Sequence, residues 1–264
     1  MLPRVNLVRA DSADFLLFST DDSISKTIYS TGSWASALLT ISNMFYHSEE
    51  APLILDIGAN LGAYSIPIAK EIAESGGLVY SYEPQRIIYY QLCGNVFLNR
   101  LENVHAFNMA IGDRDGSVMI PSIDYSKSKN IGAFTLDQQG VAKNEAIAVK
   151  AGDRANTVPI ARLDSLTFPK PPTLIKIDVE GLELQVLKGA VNYLEEHHFP
   201  PLLLEAWDED WFKDRRVELL DYLTTIGYEY FAIRAEIVAQ HPRFPRQVEF
   251  VGDHTSGVQM IRLR

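Results

Sequence analysis

The sequence contains a single cysteine, Cys93, so no disulfide can form within the chain. Cys93 lies in an apolar helical stretch with Ile87, Ile88, Leu92, Val96 and Phe97, where a small buried thiol is expected. No run of ~18 apolar residues occurs, so no membrane-spanning helix is expected. The N-terminus has no basic-then-apolar leader, and Asp11 and Asp14 follow soon after; a cytoplasmic location is expected. Neither His-Glu-x-x-His nor Cys-x-x-Cys is found, and the histidines are scattered apart from His197-His198, which argues against zinc. Basic residues are the minority: 24 Lys and Arg stand against 34 Asp and Glu, a formal charge of -10. An acidic surface repels phosphate backbones, so nucleic acid is not an expected partner.

What is present is enough apolar material for a large core: 47% of 264 residues. The first thirty residues read as short extended pieces, with Phe15-Leu-Leu-Phe18 the strongest. Thr31 or Ser33 then caps a predicted helix that runs to Phe45. From Pro52 strands and helices alternate. Predicted strands are Leu53–Ile57, Leu78–Tyr82, Val104–Met109, Thr173–Asp178 and Pro201–Glu205, with Tyr228–Phe231 and Val258–Arg262 finishing the sheet. Predicted helices are Ala63–Ala73, Gln85–Leu98, one beginning at Leu182–Leu187, and Trp211–Thr224. The alternation implies right-handed crossovers and a mostly parallel α/β sheet. Between the third and fourth core strands, from about 113 to 172, turn residues and isolated pieces (Ser117–Ile120, Ala146–Val149) read as an insertion beside the active site. The expected organisation is one structural domain: residues 1–50 covering the cofactor site and residues 51–264 forming the core.

The strongest local signal is Asp56-Ile-Gly-Ala-Asn-Leu-Gly62, between an apolar strand and a helical segment. Gly58 and Gly62 permit a sharp turn and a close ligand, and ligands of open α/β sheets bind beyond the carboxyl ends of strands. A dinucleotide fingerprint starting at Gly58 needs glycines where Asn60 and Ala63 stand; a P-loop needs Gly-Lys-Ser/Thr where Gly62-Ala-Tyr64 stands. Asp56 suits a cationic ligand better than a pyrophosphate, and S-adenosylmethionine carries a sulfonium and an amino group. Ala59 belongs to the same loop. Glu83, ending the second strand in Tyr82-Glu-Pro84, can accept hydrogen bonds from a ribose diol. Asn108-Met-Ala-Ile-Gly-Asp113 is placed to line an adenine pocket through backbone groups, Ala110 among them, and the side chain of Met109 or Ile111.

These segments, together with Arg162-Leu-Asp-Ser-Leu166, Ile175-Lys-Ile-Asp-Val-Glu-Gly-Leu-Glu183 and Val186-Leu-Lys-Gly-Ala190, resemble the FkbM family of methyltransferases over roughly Thr31 to Tyr230. The resemblance implies a Rossmann-like class I methyltransferase fold with a seven-stranded sheet. It also implies S-adenosylmethionine as donor and O-methylation of a sugar or small natural product, so that the partner is a small-molecule or glycan hydroxyl. It places Asp56, Gly58, Asn60 and Gly62 at the donor loop, Glu83 at the ribose, and Asp178 and Glu180 facing the reacting methyl. Asn130-Ile-Gly132 resembles a short family motif in the insertion, whereas Phe134 and Thr135 depart from it.

Strand alternation gives the Lys-Ile-Asp-Val-Glu-Gly motif a reason, since Lys176 and Asp178 project to one face. Glu180 lies just beyond, and Glu205 ends the next strand. A hydroxyl loses its proton as it attacks, so a carboxylate within reach is a natural general base. Asp178 is the first choice and Glu180 the second, with Lys176 beside them; Asn130, Glu205 and Trp34 are the substrate-side candidates. Trp207 and Trp211 could also shape that pocket. A purely structural Lys176–Asp178 ion pair is the plain alternative. Mg²⁺ on Asp178, Glu180 and Glu205 is the less favoured one, because no histidine or Asp-Asn pair reinforces it. N-methylation is disfavoured, because Asp178-Val-Glu-Gly181 stands where base N-methyltransferases carry Asp/Asn-Pro-Pro-aromatic. A non-catalytic donor-binding homologue remains the alternative of a different class.

Overall fold

The computed structural model describes residues 2–126, 131, 155–251 and, as strand backbone, 259–262, apart from residues 21, 48, 208 and 234. The chain opens on an antiparallel pair, β1 (Val5–Arg9) and β2 (Asp14–Phe18). Extended structure stops earlier than the sequence reading predicts. The Asp22 carboxylate accepts the Ser25 N–H at 2.9 Å and starts helix α1 (Ser23–Thr31), which Gly32 ends at φ 74°. Thr31 therefore closes one helix instead of capping the next. Helix α2 (Ser36–Tyr46) follows Ala35 without a side-chain cap.

The core follows as β3 (Leu53–Ile57), α3 (Ser65–Ile72), β4 (Leu78–Tyr82), α4 (Arg86–Leu98) and β5 (Val104–Phe107). The third core strand is shorter than predicted. Asn108 turns its amide onto the carbonyls of Glu83 and Pro84 (2.9 and 3.0 Å), and the chain enters a second sheet. That sheet joins β6 (Ala110–Ile111), β7 (Gly116–Ile120) and β8 (Asn156–Ala161) in the order β6-β8-β7. The expected strand piece Ala146–Val149 lies outside the described residues, as does Asn130. The core resumes with β9 (Leu174–Ile177), α5 (Glu183–Lys188), α6 (Val191–Glu196), β10 (Leu202–Glu205), α7 (Lys213–Thr225), β11 (Glu229–Ile233) and β12 (Glu236–Gln240). A hairpin of β13 (Val248–Val251) and β14 (Gln259–Arg262) ends it.

The main sheet has seven strands in the order β11-β12-β10-β9-β3-β4-β5. Strands β3, β4, β5, β9 and β10 run parallel, while β12 is antiparallel to both β10 and β11. The prediction that residues 258–262 finish this sheet is corrected, because β14 pairs with β13 in a separate sheet. Glu236–Gln240 takes the place instead, burying Ile237, Val238 and Ala239 between its two neighbours.

Every residue of β3 is buried, as expected of a parallel strand covered on both faces. Alternation then sorts side chains between two layers. Leu53, Leu55, Ile57, Ile175, Ile177, Leu202 and Leu204 enter one cluster; Ile54, Leu174, Leu203 and Val238 enter the other with α2 and α3. A third cluster joins Phe15, Leu17, Ile24 and Ile28 to Leu61, Ile66 and Ile88, so the N-terminal elements pack onto the core beside the glycine loop. Each such aliphatic side chain contributes about 1.5–3 kcal/mol by leaving water. Cys93, on α4, is half-buried instead of fully enclosed. Among the described residues no helix is long and apolar enough to cross a membrane.

Candidate active site

A cavity of about 930 Å³ opens at the carboxyl ends of β3, β4, β9 and β10, and residues of α1, α2, the loop between them and β7 also line it. It is where an open α/β sheet places its ligand. One end is built by the turn after β3. Gly58 (φ 85°) and Asn60 (φ 51°) are both left-handed there, and the N–H groups of Gly58 and Ala59 donate to the Tyr82 carbonyl at 3.0 and 2.9 Å. A Cβ at residue 58 would collide with the backbone carbonyl of Asp178, so glycine is needed there to pass β9 as well as to approach a ligand. Gly62 (φ 90°) packs against Leu92 and Ile66. It turns the chain into α3 and does not line the cavity.

Glu83 lies across this loop, 5% exposed. Its two oxygens accept the N–H of Asn60 at 2.9 Å and of Gln85 at 2.7 Å. Burial pushes its carboxyl up to about 7, against the pull of those two hydrogen bonds. A carboxylate has about four acceptor positions, so capacity remains for two ligand hydroxyls. Pro84, Met109 and Ala110 line the same end.

Asp56 departs from the sequence expectation. It is fully buried, and its oxygens accept from Ser65 at 2.5 Å and Lys176 at 3.3 Å. Ser65 in turn meets Ser81 at 2.7 Å. Register explains the arrangement, since Ser81, Asp56 and Lys176 are direct partners across β4, β3 and β9. Asp56 therefore holds an internal polar row and does not line the cavity where a cationic ligand would meet it.

The opposite end holds the carboxylates. Lys176 reaches Asp178 at 3.0 Å as well as Asp56. Burial alone would lower this lysine, but the charges of Asp178 and Asp56 outweigh it and hold the ammonium above its usual range. The turn after β9 is left-handed at Glu180 (φ 58°) and Gly181 (φ 93°), a conformation that costs a non-glycine residue about 1 kcal/mol. Glu183 stabilises it by accepting the N–H groups of Val179 and Gly181, both at 3.1 Å. The turn carries Glu180 into a group with Asp178 and Glu205 whose oxygens lie within 4.8 Å of one another. Burial, then the neighbouring charges, push Glu180 well above the usual carboxylate range and Glu205 up to about 9. These are the carboxylates that could hold a divalent cation, and equally ones that could take up a proton. Glu205 also accepts the Trp207 indole N–H at 3.0 Å.

The cavity thus brings together Gly58, Ala59, Asn60, Glu83, Pro84, Met109, Ala110, Lys176, Asp178, Glu180, Glu205 and Trp34. Sequence reasoning missed Glu236, which lines it too and is the register partner of Glu205. Burial and the Asp178 charge push Glu236 up to about 7. Its one legible sign was an acidic residue opening the apolar run Ile237-Val-Ala239.

Residues 56–230 match the model of the methyltransferase FkbM domain. The chain is 27% identical over 156 residues to the hexuronic acid methyltransferase AglP of Haloferax volcanii, covering 58% of this chain and 55% of that one. It is 24% identical over 209 residues to methyltransferase sdnD of Sordaria araneosa, covering 70% and 76%. Among solved structures, methyltransferase FkbM from Methylobacillus flagellatus KT is similar at 20% identity and a TM-score of 0.45, over 75% of this chain and 47% of that one. The chain spans about half the length of the Haloferax and Methylobacillus proteins. With well over half its residues under the family model and a seven-stranded, mainly parallel Rossmann-like sheet beneath them, the chain belongs to the FkbM family of methyltransferases.

Proposed function

We propose that the protein is an S-adenosylmethionine-dependent O-methyltransferase acting on a hydroxyl of a sugar or small natural product. The observation that carries this reading is the shared cavity, with the glycine loop and Glu83 at one end and the group of Asp178, Glu180 and Glu205 at the other. When bound, S-adenosylmethionine supplies a methyl on a positively charged sulfur, which leaves with the bonding electron pair as the carbon–oxygen bond forms. Glu83 offers its remaining lone pairs to the ribose hydroxyls, and the Gly58–Asn60 turn lets the donor lie against the main chain. Residues 1–50 form the cover of this site through Ile24, Trp34 and Leu38.

Holding donor and acceptor collinear supplies much of the rate of an in-line displacement. The acceptor proton passes to Asp178. Burial pushes Glu205 up to about 9, so it carries a proton near neutrality, and raises Glu180 well above the usual carboxylate range, whereas Asp178 is the carboxylate paired with a cation at 3.0 Å. Lys176 orients it, and Glu205 binds an acceptor hydroxyl by donating. The hexuronic acid methyltransferase among the relatives supports a hydroxylated acceptor class.

Isothermal titration with S-adenosylhomocysteine, with NAD as control, tests the donor assignment. Micromolar binding of the first and none of the second is expected. Absence of S-adenosylhomocysteine binding would overturn it.

A further inference from the structure

Helix α4 turns its amides inward and its aromatic rings outward, the reverse of an ordinary surface helix. Asn95 and Gln91 are buried. The Leu16 N–H donates to Asn95 at 2.7 Å, and Gln91 donates to the Leu16 carbonyl at 2.7 Å. Asn99, just past the helix, holds the N–H and carbonyl of Asp14 in the same way, at 3.0 and 2.7 Å. These amides satisfy the outer edge of β2, so the polar side chains of the helix are spent there. What remains for the solvent side is Tyr90 and Phe97, both exposed, Phe97 at 87%.

Strand β1 continues this surface. Gly94 shares the helix side of Tyr90 and Phe97 by its spacing, and a Cβ there would lie 3.1 Å from a Leu16 methyl. Leu16 is the register partner of Leu7, and Val5, Leu7 and Arg9 are exposed at alternate positions of β1. The apolar side chains are bordered by arginines. The Arg86 guanidinium lies over the Tyr90 ring at 5.7 Å. Arg9 is opposite Asp14, which Asn99 holds, and Arg100 follows Asn99; Arg4 precedes Val5. All four arginines are exposed. The carboxylates beside them are Asp14, opposite Arg9, and Glu102, two residues beyond Arg100. On a chain with a formal charge of -10, this face is therefore locally basic.

We infer that the outer face of α4 and β1 docks the protein onto an anionic bilayer surface. Phe97, Tyr90 and Leu7 enter the boundary between headgroups and acyl chains, and the arginines meet the lipid phosphates. Arginine suits that place because its stem lies along apolar surface while its head stays in the polar layer. A bilayer accepts separate protruding side chains without a matching pocket. A second copy of the chain fits less well, because a two-fold contact would bring the same arginines to both sides. None of these residues lines the cavity, so the inference stands apart from the methyl-transfer reading.

The test is co-sedimentation of the whole chain with two kinds of vesicle, phosphatidylcholine alone and phosphatidylcholine with phosphatidylserine. Partition onto the anionic vesicles is expected to exceed that onto the neutral ones by about tenfold, and to fall severalfold at high salt. The pair Leu7→Ser and Phe97→Ser should lower it about tenfold. The pair Arg9→Glu and Arg86→Glu should lower it at least as much. Val217→Ser, at an exposed apolar position of α7 outside the face, should leave it unchanged. Circular dichroism confirms that each variant is folded. No sedimentation with anionic vesicles, equal sedimentation with neutral ones, or undiminished binding by both double variants would overturn the inference. So would a dimer in analytical ultracentrifugation that Phe97→Ser dissociates, because a second copy would then cover the face.

Discussion

The two ends of the cavity use carboxylates in opposite ways. At the glycine-loop end Glu83 is tied down by two backbone N–H groups, from Asn60 and Gln85. At the β9–β10 end the oxygens of Asp178, Glu180 and Glu205 face one another within 4.8 Å, steadied mainly by Lys176. The first arrangement is fixed by the main chain and is pre-organised for a ligand of constant shape. The second is fixed by charge balance, so it responds to protons and to whatever binds. A donor common to every turnover fits the rigid end, and proton transfer fits the responsive one.

The strongest way to break this division is at the point where the ends touch. Gly58→Val places a side chain against the Asp178 carbonyl at a φ of 85°. It should lower S-adenosylhomocysteine affinity by about a hundredfold or more, or prevent folding; circular dichroism separates the two. Unchanged affinity would show that the loop does not govern the donor end. Asp178→Asn removes the proposed base and leaves the rigid end intact. Turnover, followed as S-adenosylhomocysteine release, should fall by about 10²–10⁴-fold while donor affinity stays within a factor of two. Full activity would assign the proton to another group.

Lys176→Met tests the row beneath both ends. It strands the fully buried Asp56 without its cation, and denaturant unfolding should show a loss of about 3–5 kcal/mol. A loss under about 1 kcal/mol would mean that Ser65 alone satisfies Asp56.

The smallest expected effect concerns pH. Burial and nearby charge raise the Glu205 carboxyl from 4.5 to about 9, so the folded state binds its proton more tightly than the unfolded chain does. That contribution to stability is complete below the unfolded value and is lost as pH rises through the folded one. The melting temperature of the ligand-free protein should therefore decline from mildly acidic to alkaline pH. Glu205→Gln should flatten that decline. A decline of equal slope in the variant would place the responsible group elsewhere.

Much of this was legible along the chain because it rests on local patterns. The all-apolar run before Asp56, the two glycines after it and Glu83 at the next strand end announce a parallel sheet with a ligand loop. The Lys176–Asp178 pairing follows from strand alternation alone. Local pattern also misleads: Thr31 resembles a helix start, yet Asp22 and Gly32 bound α1 and leave Thr31 at its end. Glu236–Gln240 and residues 258–262 are both short strand-like segments, and pairing partners far apart in sequence leave no periodic trace to separate them.

The sequence by itself thus determined the fold class, the loop and most of the carboxylates that line the cavity, because hydrophobic period and turn chemistry act over a few neighbours. Only the tertiary structure decided what each carboxylate does. Asp56 is the direct register partner of Lys176 and Asp178 lies two residues beyond it in sequence, yet one lies in a buried hydroxyl row and the other opens to the cavity. Glu236 joined the site only when its strand came to lie beside Glu205. Burial and the charges gathered by distant strands set the behaviour of an ionisable group, and neither is written in its neighbours along the chain.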